Sequence, residues 1–152
     1  MRPVPDFEDM LHLLHRHEVR YLIIGGLAFI YHAKPRYTKD IDLWLAGDPE
    51  NIERANRALA EFGSPALLDA GDDEQILQIG VAPNRIDLLR KVTGADFDAA
   101  WTRRIEGTYG SSPANWVHIE DLLRIKESIE LPRHQEDARV LREVLRRRVG
   151  SG

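Results

Sequence analysis

The sequence predicts an α+β domain of α/β character, a small mixed β-sheet flanked by helices with a helical C-terminal part. Three observations point there. Apolar strands alternate with amphipathic helices as far as Phe62, in the order αβαβα. Two strand-like stretches, Gln75–Val81 and Arg85–Leu89, then flank the turn sequence Ala82-Pro83-Asn84 and suit a hairpin. Beyond Asp96, helical stripes dominate. A chain of 152 residues is long enough for a real core and is expected to be one domain, with a core over about 1–110 and the helical part over about 111–150.

Each element has its own reason. The run Phe7, Met10, Leu11, Leu14 falls at helical spacing after Pro5-Asp6, with Asp6 as the expected cap. Val19–Ile24 is a compact apolar strand ending in Gly25-Gly26, and a short apolar helix is expected from Leu27 to about His32. Pro35 disfavours helical geometry at Lys34 and ends it. Lys39–Leu45 reads as the second strand. Asp48-Pro49 caps and opens the next helix, with Ile52, Ala55, Leu59 and Phe62 as its buried stripe and Gly63 as its stop. Helices are expected over Asp96–Arg103, Ile119–Ile129 and Gln135–Val149, with a small strand over Asn115–His118 and Pro132 as an interruption.

Composition bounds the function. With 43% apolar and 30% charged residues, the chain reads as an ordinary soluble globular protein. It has no apolar run long enough for a membrane span and no apolar leader after Met1. It also lacks cysteine, which excludes disulfides and thiolate metal sites. A cytoplasmic location is the expectation. The net charge of −4 argues against a surface built for bulk nucleic-acid binding, while leaving room for a local basic patch.

The chemistry centres on Asp40-Ile41-Asp42. In a strand, alternate side chains share a face, so the two carboxylates stand together while Ile41, Leu43 and Leu45 face a core. Asp is disfavoured in strands and like charges repel, so the pair implies a cation. Asp87, in Arg85-Ile86-Asp87-Leu88-Leu89, would join them if its strand lies alongside. Such a carboxylate set suits Mg²⁺ or Mn²⁺, which bind through oxygen and commonly share substrate phosphates. Gly25-Gly26, a glycine pair between a strand and a helix, lets backbone approach a ligand and offers free N–H groups to phosphate. No Gly-Lys-Ser/Thr follows, so this is not a Walker loop.

Gly25-Gly26 followed by Asp40-Ile41-Asp42 resembles the signature of the DNA-polymerase-beta-like nucleotidyltransferase superfamily. Arg36-Tyr37-Thr38-Lys39 leading into those acids is similar to the small bacterial members, including abortive-infection-type toxins of toxin–antitoxin systems. The likeness extends through Asp48–Phe62, Asn84–Leu89, Thr93–Phe97 and Ile119–Lys126. It implies that Gly25 and Gly26 bind the triphosphate of an NTP and that Asp40 and Asp42 hold divalent metal. It further implies that Asp87 joins the metal and helps deprotonate the attacking hydroxyl. Arg36 and Lys126 would meet the nucleotide, with Thr38 on the aspartates' face. After Lys126 the chain departs from the family's Gly-Arg turn, which leaves the roles of Arg133 and Asp137 open.

The expected activity is transfer of an NMP group from an NTP to a hydroxyl of a tRNA, protein or small molecule. A toxin role with an antitoxin partner is an extension of it. One alternative is a non-catalytic nucleotide- or partner-binding module on the same scaffold. Another is a hydrolase using the acids as a pair, since residues i and i+2 of a strand lie about 6–7 Å apart. Four other features have plainer readings. His12, His15 and His17 suit a solvated helix end, and Asp69–Glu74 a polar loop without EF-hand order. Trp44 shares the aspartates' face and would either wall the site or lie under a C-terminal helix. The arginines near Val149 suit a helix C-terminus.

Overall fold

A strand whose every side chain is buried needs cover on both faces, and Tyr21–Ile24 (β1) is such a strand. In the computed structural model, which describes residues 2–81 and 84–151, β1 lies inside a six-stranded mixed sheet. The chain runs α1 (Pro5–Arg16), β1, α2 (Gly25–His32), β2 (Asp40–Leu45), α3 (Pro49–Phe62), β3 (Ile76–Ile79) and β4 (Arg85–Leu89). It continues through α4 (Phe97–Thr102), β5 (Ile105–Tyr109), β6 (Ser112–Trp116), α5 (Ile119–Glu127) and α6 (Pro132–Ser151). The strand order is β3-β4-β2-β1-β6-β5. The pairs β2–β4 and β1–β6 are parallel; β1–β2 and the two edge hairpins, β3–β4 and β5–β6, are antiparallel. This is the α+β architecture expected.

Ile41, Leu43 and Leu45 are fully buried, as the alternation of β2 requires. Helix α1 packs on α3 and β6, while α2 packs on β2 and on the C-terminal pair α5 and α6. Asp48 caps α3 by accepting from the Asn51 N–H at 3.1 Å, and Gly63 ends it in the left-handed region at φ 90°. Asp96 caps α4 through the Ala99 N–H at 3.0 Å.

Several boundaries differ from expectation. Val4, not Asp6, holds the cap position of α1, because Pro5 takes the first helical position where no N–H is needed. Helix α2 starts at Gly25 itself, so the glycines form its first turn. The small strand expected over Asn115–His118 forms as β6, shifted to Ser112–Trp116, beside a partner β5 that the sequence did not mark; the C-terminal helices begin at Ile119 as expected. Pro132 starts α6 rather than interrupting a helix. The expected turn at Ala82-Pro83 lies outside the described residues. Among the described residues, no helix is long and apolar enough to cross a membrane.

Candidate functional site

Parallel pairing of β2 with β4 sets Asp40 opposite Arg85 and Asp42 opposite Asp87. The three carboxylates expected on one surface are therefore neighbours. Arg85 stands among them: its Nε donates to Asp87 Oδ1 at 2.9 Å, and one terminal nitrogen donates to Asp87 Oδ2 at 3.2 Å and Asp40 Oδ2 at 3.1 Å. Those contacts hold the Arg85 guanidinium above its ordinary pKa. Among the described residues no cation is hydrogen-bonded to Asp42, and the pull of the Lys126 charge on it is outweighed. Burial, then the charges of Asp87 and Asp40, push its carboxyl up to about 7, with a hydrogen bond to Asp87 adding to the rise.

Gly25 is the neighbour that makes room for Asp42. It has φ 72°, where L side chains are strained, and a Cβ built on it would overlap the Asp42 carboxylate. A Cβ on Gly26 would stand 2.9 Å from Thr38 Oγ1. The glycine pair thus brings the first turn of α2, with its free N–H groups, directly against the acids and Thr38.

Opposite lies a cationic cluster. Arg36 donates to both oxygens of Asp137, at 2.6 and 3.1 Å, and its guanidinium sits 4.3 Å above the Phe29 ring. Lys126 is buried, 2.9 Å from Asp137 Oδ2, the oxygen it shares with Arg36, and 3.1 Å from His134 Nδ1. An ammonium can only donate, so His134 Nδ1 accepts and its proton sits on Nε2. Burial would raise the Asp137 carboxyl, but hydrogen bonds from Arg36 and Lys126 outweigh it and the net shift is downward. Burial lowers Lys126 in turn, against the pull of Asp137.

Together these residues line a cleft of about 530 Å³ containing Gly25, Gly26, Arg36, Thr38, Asp40, Asp42, Lys126 and Arg133. A second cleft of about 280 Å³ opens from it, sharing Gly25, Asp42, Lys126 and His134. Its other walls are mainly aliphatic: Leu89, Val92, Ile125 and Ile129. Asp87, the buried register partner of Asp42, is not among the residues lining either cleft. The sequence reading missed Arg85, His134 and the apolar cleft. Arg85 was legible in principle, since it lies two residues before Asp87 on the same strand face.

The donor set is all oxygen, which suits a hard divalent cation. Among the described residues, however, no three acidic or imidazole groups close into a metal-holding cluster. Mg²⁺ commonly takes only one or two carboxylates and completes its shell with water and substrate phosphate, so the residues present fit such an ion without a closed cage.

The other candidates have structural partners. Trp44 does not wall the site; it is buried, with Nε1 donating to the Arg90 carbonyl at 3.0 Å and its ring edge-on to Phe97 of α4 at 5.2 Å. His15 bonds Tyr21 at 2.7 Å, His17 meets Glu61 at 3.2 Å and His12 lies 3.4 Å from Ser111. The acidic loop wraps Arg90, which donates to the Asp69 carbonyl at 2.9 Å and to Gln75 at 3.1 Å. Arg142 pairs with Glu127 at 2.8 Å, and Arg146 pairs with Glu143.

No sequence-family model matches the chain, and no curated protein matches it in sequence. Solved structures do match its fold. The antibiotic-resistance factor ANT(2")-Ia, solved with adenylyl-2"-tobramycin, superposes with a TM-score of 0.62 at 16% identity, over 91% of this chain and 87% of that one. The lincosamide antibiotic adenylyltransferase LnuA, solved with lincomycin, gives 0.62 at 14% identity, over 94% and 99%. A nucleotidyltransferase-like protein of Paracoccidioides brasiliensis gives 0.53 at 15%, over 94% and 78%. The chain has the fold of solved nucleotidyltransferases. The matches cover more than nine-tenths of this chain.

Proposed function

We propose that this chain is a metal-dependent nucleotidyltransferase that moves an NMP group from an NTP to a hydroxyl of a small molecule. The observation that carries the reading is that Asp40 and Asp42 line one cleft with Gly25-Gly26, with Asp87 in register beside Asp42. The N–H groups of the first turn of α2 bind phosphate oxygens. Arg36 and Lys126, held side by side by Asp137, supply the positive charge that a triphosphate needs. Thr38 closes the cleft beside Gly26. The aliphatic cleft between β4 and α5 receives the nucleobase.

Asp40, Asp42 and Asp87 would hold Mg²⁺ or Mn²⁺, which when bound offsets the charge of the attacking and leaving oxygens. Asp87 takes the proton of the acceptor hydroxyl. The hydroxyl oxygen bonds to the α-phosphorus as the bond from that phosphorus to the bridging oxygen breaks, and pyrophosphate leaves. A small-molecule acceptor is favoured by the antibiotic-modifying structures of the same fold. An RNA or protein acceptor, and with it a toxin role and an antitoxin partner, are outcomes that the same assay separates.

The test is incubation with each α-labelled NTP, Mg²⁺ and a cell extract divided into RNA, protein and small-molecule fractions. Label in the small-molecule fraction, absent with Asp42→Ala, is the expected result. Metal-dependent NTP binding with no labelled product from any fraction would instead indicate a non-catalytic nucleotide-binding module.

A further inference from the structure

The reading above leaves Arg85 without a role, and its position is specific. On this face of the sheet, β2 and β4 present three carboxylates and one guanidinium. The guanidinium reaches Asp40 and Asp87 at once through three hydrogen bonds of 2.9–3.2 Å. It therefore spans the two outer members of the acidic set, and the oxygens it occupies are ones a metal ion would need. Arg85 is only about one-third exposed at its side chain, as is Asp40. Its nearest anions are those two acids, and Asp42 interacts with it as a third.

We infer that Arg85 is a built-in counter-cation that competes with divalent metal for Asp40 and Asp87 and leaves Asp40 when metal arrives. Electrostatics gives the reason. Without metal, three carboxylates on neighbouring strand positions repel, and one fixed cation offsets part of that repulsion. With a dipositive ion present, the guanidinium becomes a like charge at close range. One terminal nitrogen holds both Asp40 and Asp87 Oδ2 while Nε holds Asp87 Oδ1, so turning the guanidinium about the Cδ–Nε bond can release Asp40 and the shared Asp87 oxygen while keeping the Nε bond to Asp87. Arg85 is thus a positioning residue that sets how tightly the site takes metal. It rests on the proposed metal-dependent reading, and the experiment distinguishes the two.

The experiment is Mn²⁺ titration of the nucleotide-free protein, followed by electron paramagnetic resonance of the free ion. It compares the unmodified chain with Arg85→Gln, Arg85→Lys and Asp42→Ala. Arg85→Gln should bind Mn²⁺ roughly three- to tenfold more tightly, the scale of a partly exposed charge pair. Arg85→Lys, which keeps the charge and loses the fork, should fall between. Equal or weaker binding by folded Arg85→Gln overturns the inference. Absence of any Asp42-dependent Mn²⁺ binding in the unmodified chain overturns the metal-dependent reading itself, and the inference with it. A second readout needs no variant: in the unmodified protein, diamagnetic Mg²⁺ should shift the Arg85 Nε–H resonance together with the Asp40 and Asp42 amides. Shifted amides with an unmoved Arg85 signal also overturn the inference.

Discussion

Asp42 on β2 and Asp87 on β4 are register partners across parallel strands, and the Asp87 carboxylate is near enough to raise the pKa of Asp42. The arrangement disfavours charge on Asp42, whose carboxyl is pushed from 3.8 up to about 7 by burial and by Asp87 and Asp40. A raised carboxyl pKa means that the fold binds more protons than the unfolded chain between those two values. Stability of the metal-free protein therefore falls as pH rises from about 4 to 7 and stays low above. At ~1.4 kcal/mol per pH unit, the loss is on the order of a few kcal/mol. Asp42→Asn should thus melt higher than the unmodified protein at pH 8 in chelator, with a smaller gain at pH 5, and should lose label transfer. Urea unfolding at both pH values checks this, and a less stable Asp42→Asn at pH 8 would count against it.

Gly25 offers a sharper separation of structure from function. Placing any Cβ there costs about 1–2 kcal/mol for the left-handed backbone and collides with the Asp42 carboxylate. Gly63 has a comparable positive φ but open space where a Cβ would go. Gly25→Ala should therefore destabilise by about 2 kcal/mol or more and abolish metal-dependent NTP binding. Gly63→Ala should cost about 1 kcal/mol and leave binding intact. Calorimetric titration with Mg-ATP alongside thermal melts distinguishes them; equal binding by both variants would remove Gly25 from the site.

How much of this was legible depends on the range of the signal. Asp40, Asp42 and Asp87 followed from the two-residue period of strands, which is local. The cap at Asp48 and the stop at Gly63 were local as well. Strand β5 escaped because Ile105-Glu106-Gly107-Thr108-Tyr109 has weak apolar alternation and a central glycine; its pairing with β6 holds it in the sheet. Trp44 does point from the aspartates' side of β2, as alternation requires, but α4 arrives from far along the chain to cover it. The Lys126–His134–Asp137 cluster depends on how α6 folds back on α5. No spacing rule encodes that, and the turn between them departs from the pattern of the family the sequence resembles.

Lys126 should discriminate between phosphate binding and metal binding. It is buried and faces Gly25 across the cleft; its ion pair is with Asp137 of α6, and its charge acts on Asp42 as the weakest of the influences on that acid. Lys126→Met keeps the volume of the stem and removes the charge. ATP affinity should fall about tenfold or more, the loss expected for one charge-assisted contact, while Mn²⁺ affinity without nucleotide changes by less than about twofold. Paired titrations test it. A Lys126→Met protein that binds ATP normally would show that this cation serves only to hold α6.

Asp137 gives the opposite pH dependence to Asp42. Its carboxyl is held below the ordinary 3.8 because hydrogen bonds from Arg36 and Lys126 outweigh the effect of burial. A lowered carboxyl pKa contributes stability that is present above the unfolded value and lost as pH falls through the folded one. Asp137→Asn removes that contribution and leaves the Lys126 ammonium, 4% exposed at its side chain, without its anion. Breaking a buried pair in this way costs about 3 kcal/mol or more. The variant should be less stable than the unmodified protein by about that amount at pH 7. The gap should narrow steadily below pH 4, where the unmodified Asp137 takes up its proton and loses the same charge. Urea unfolding at pH 7 and at stepped values down to pH 3 measures the gap directly. A difference that stays constant across that range would mean that the Asn change acts through packing of α6 rather than through the charge that holds Arg36 and Lys126 over the cleft.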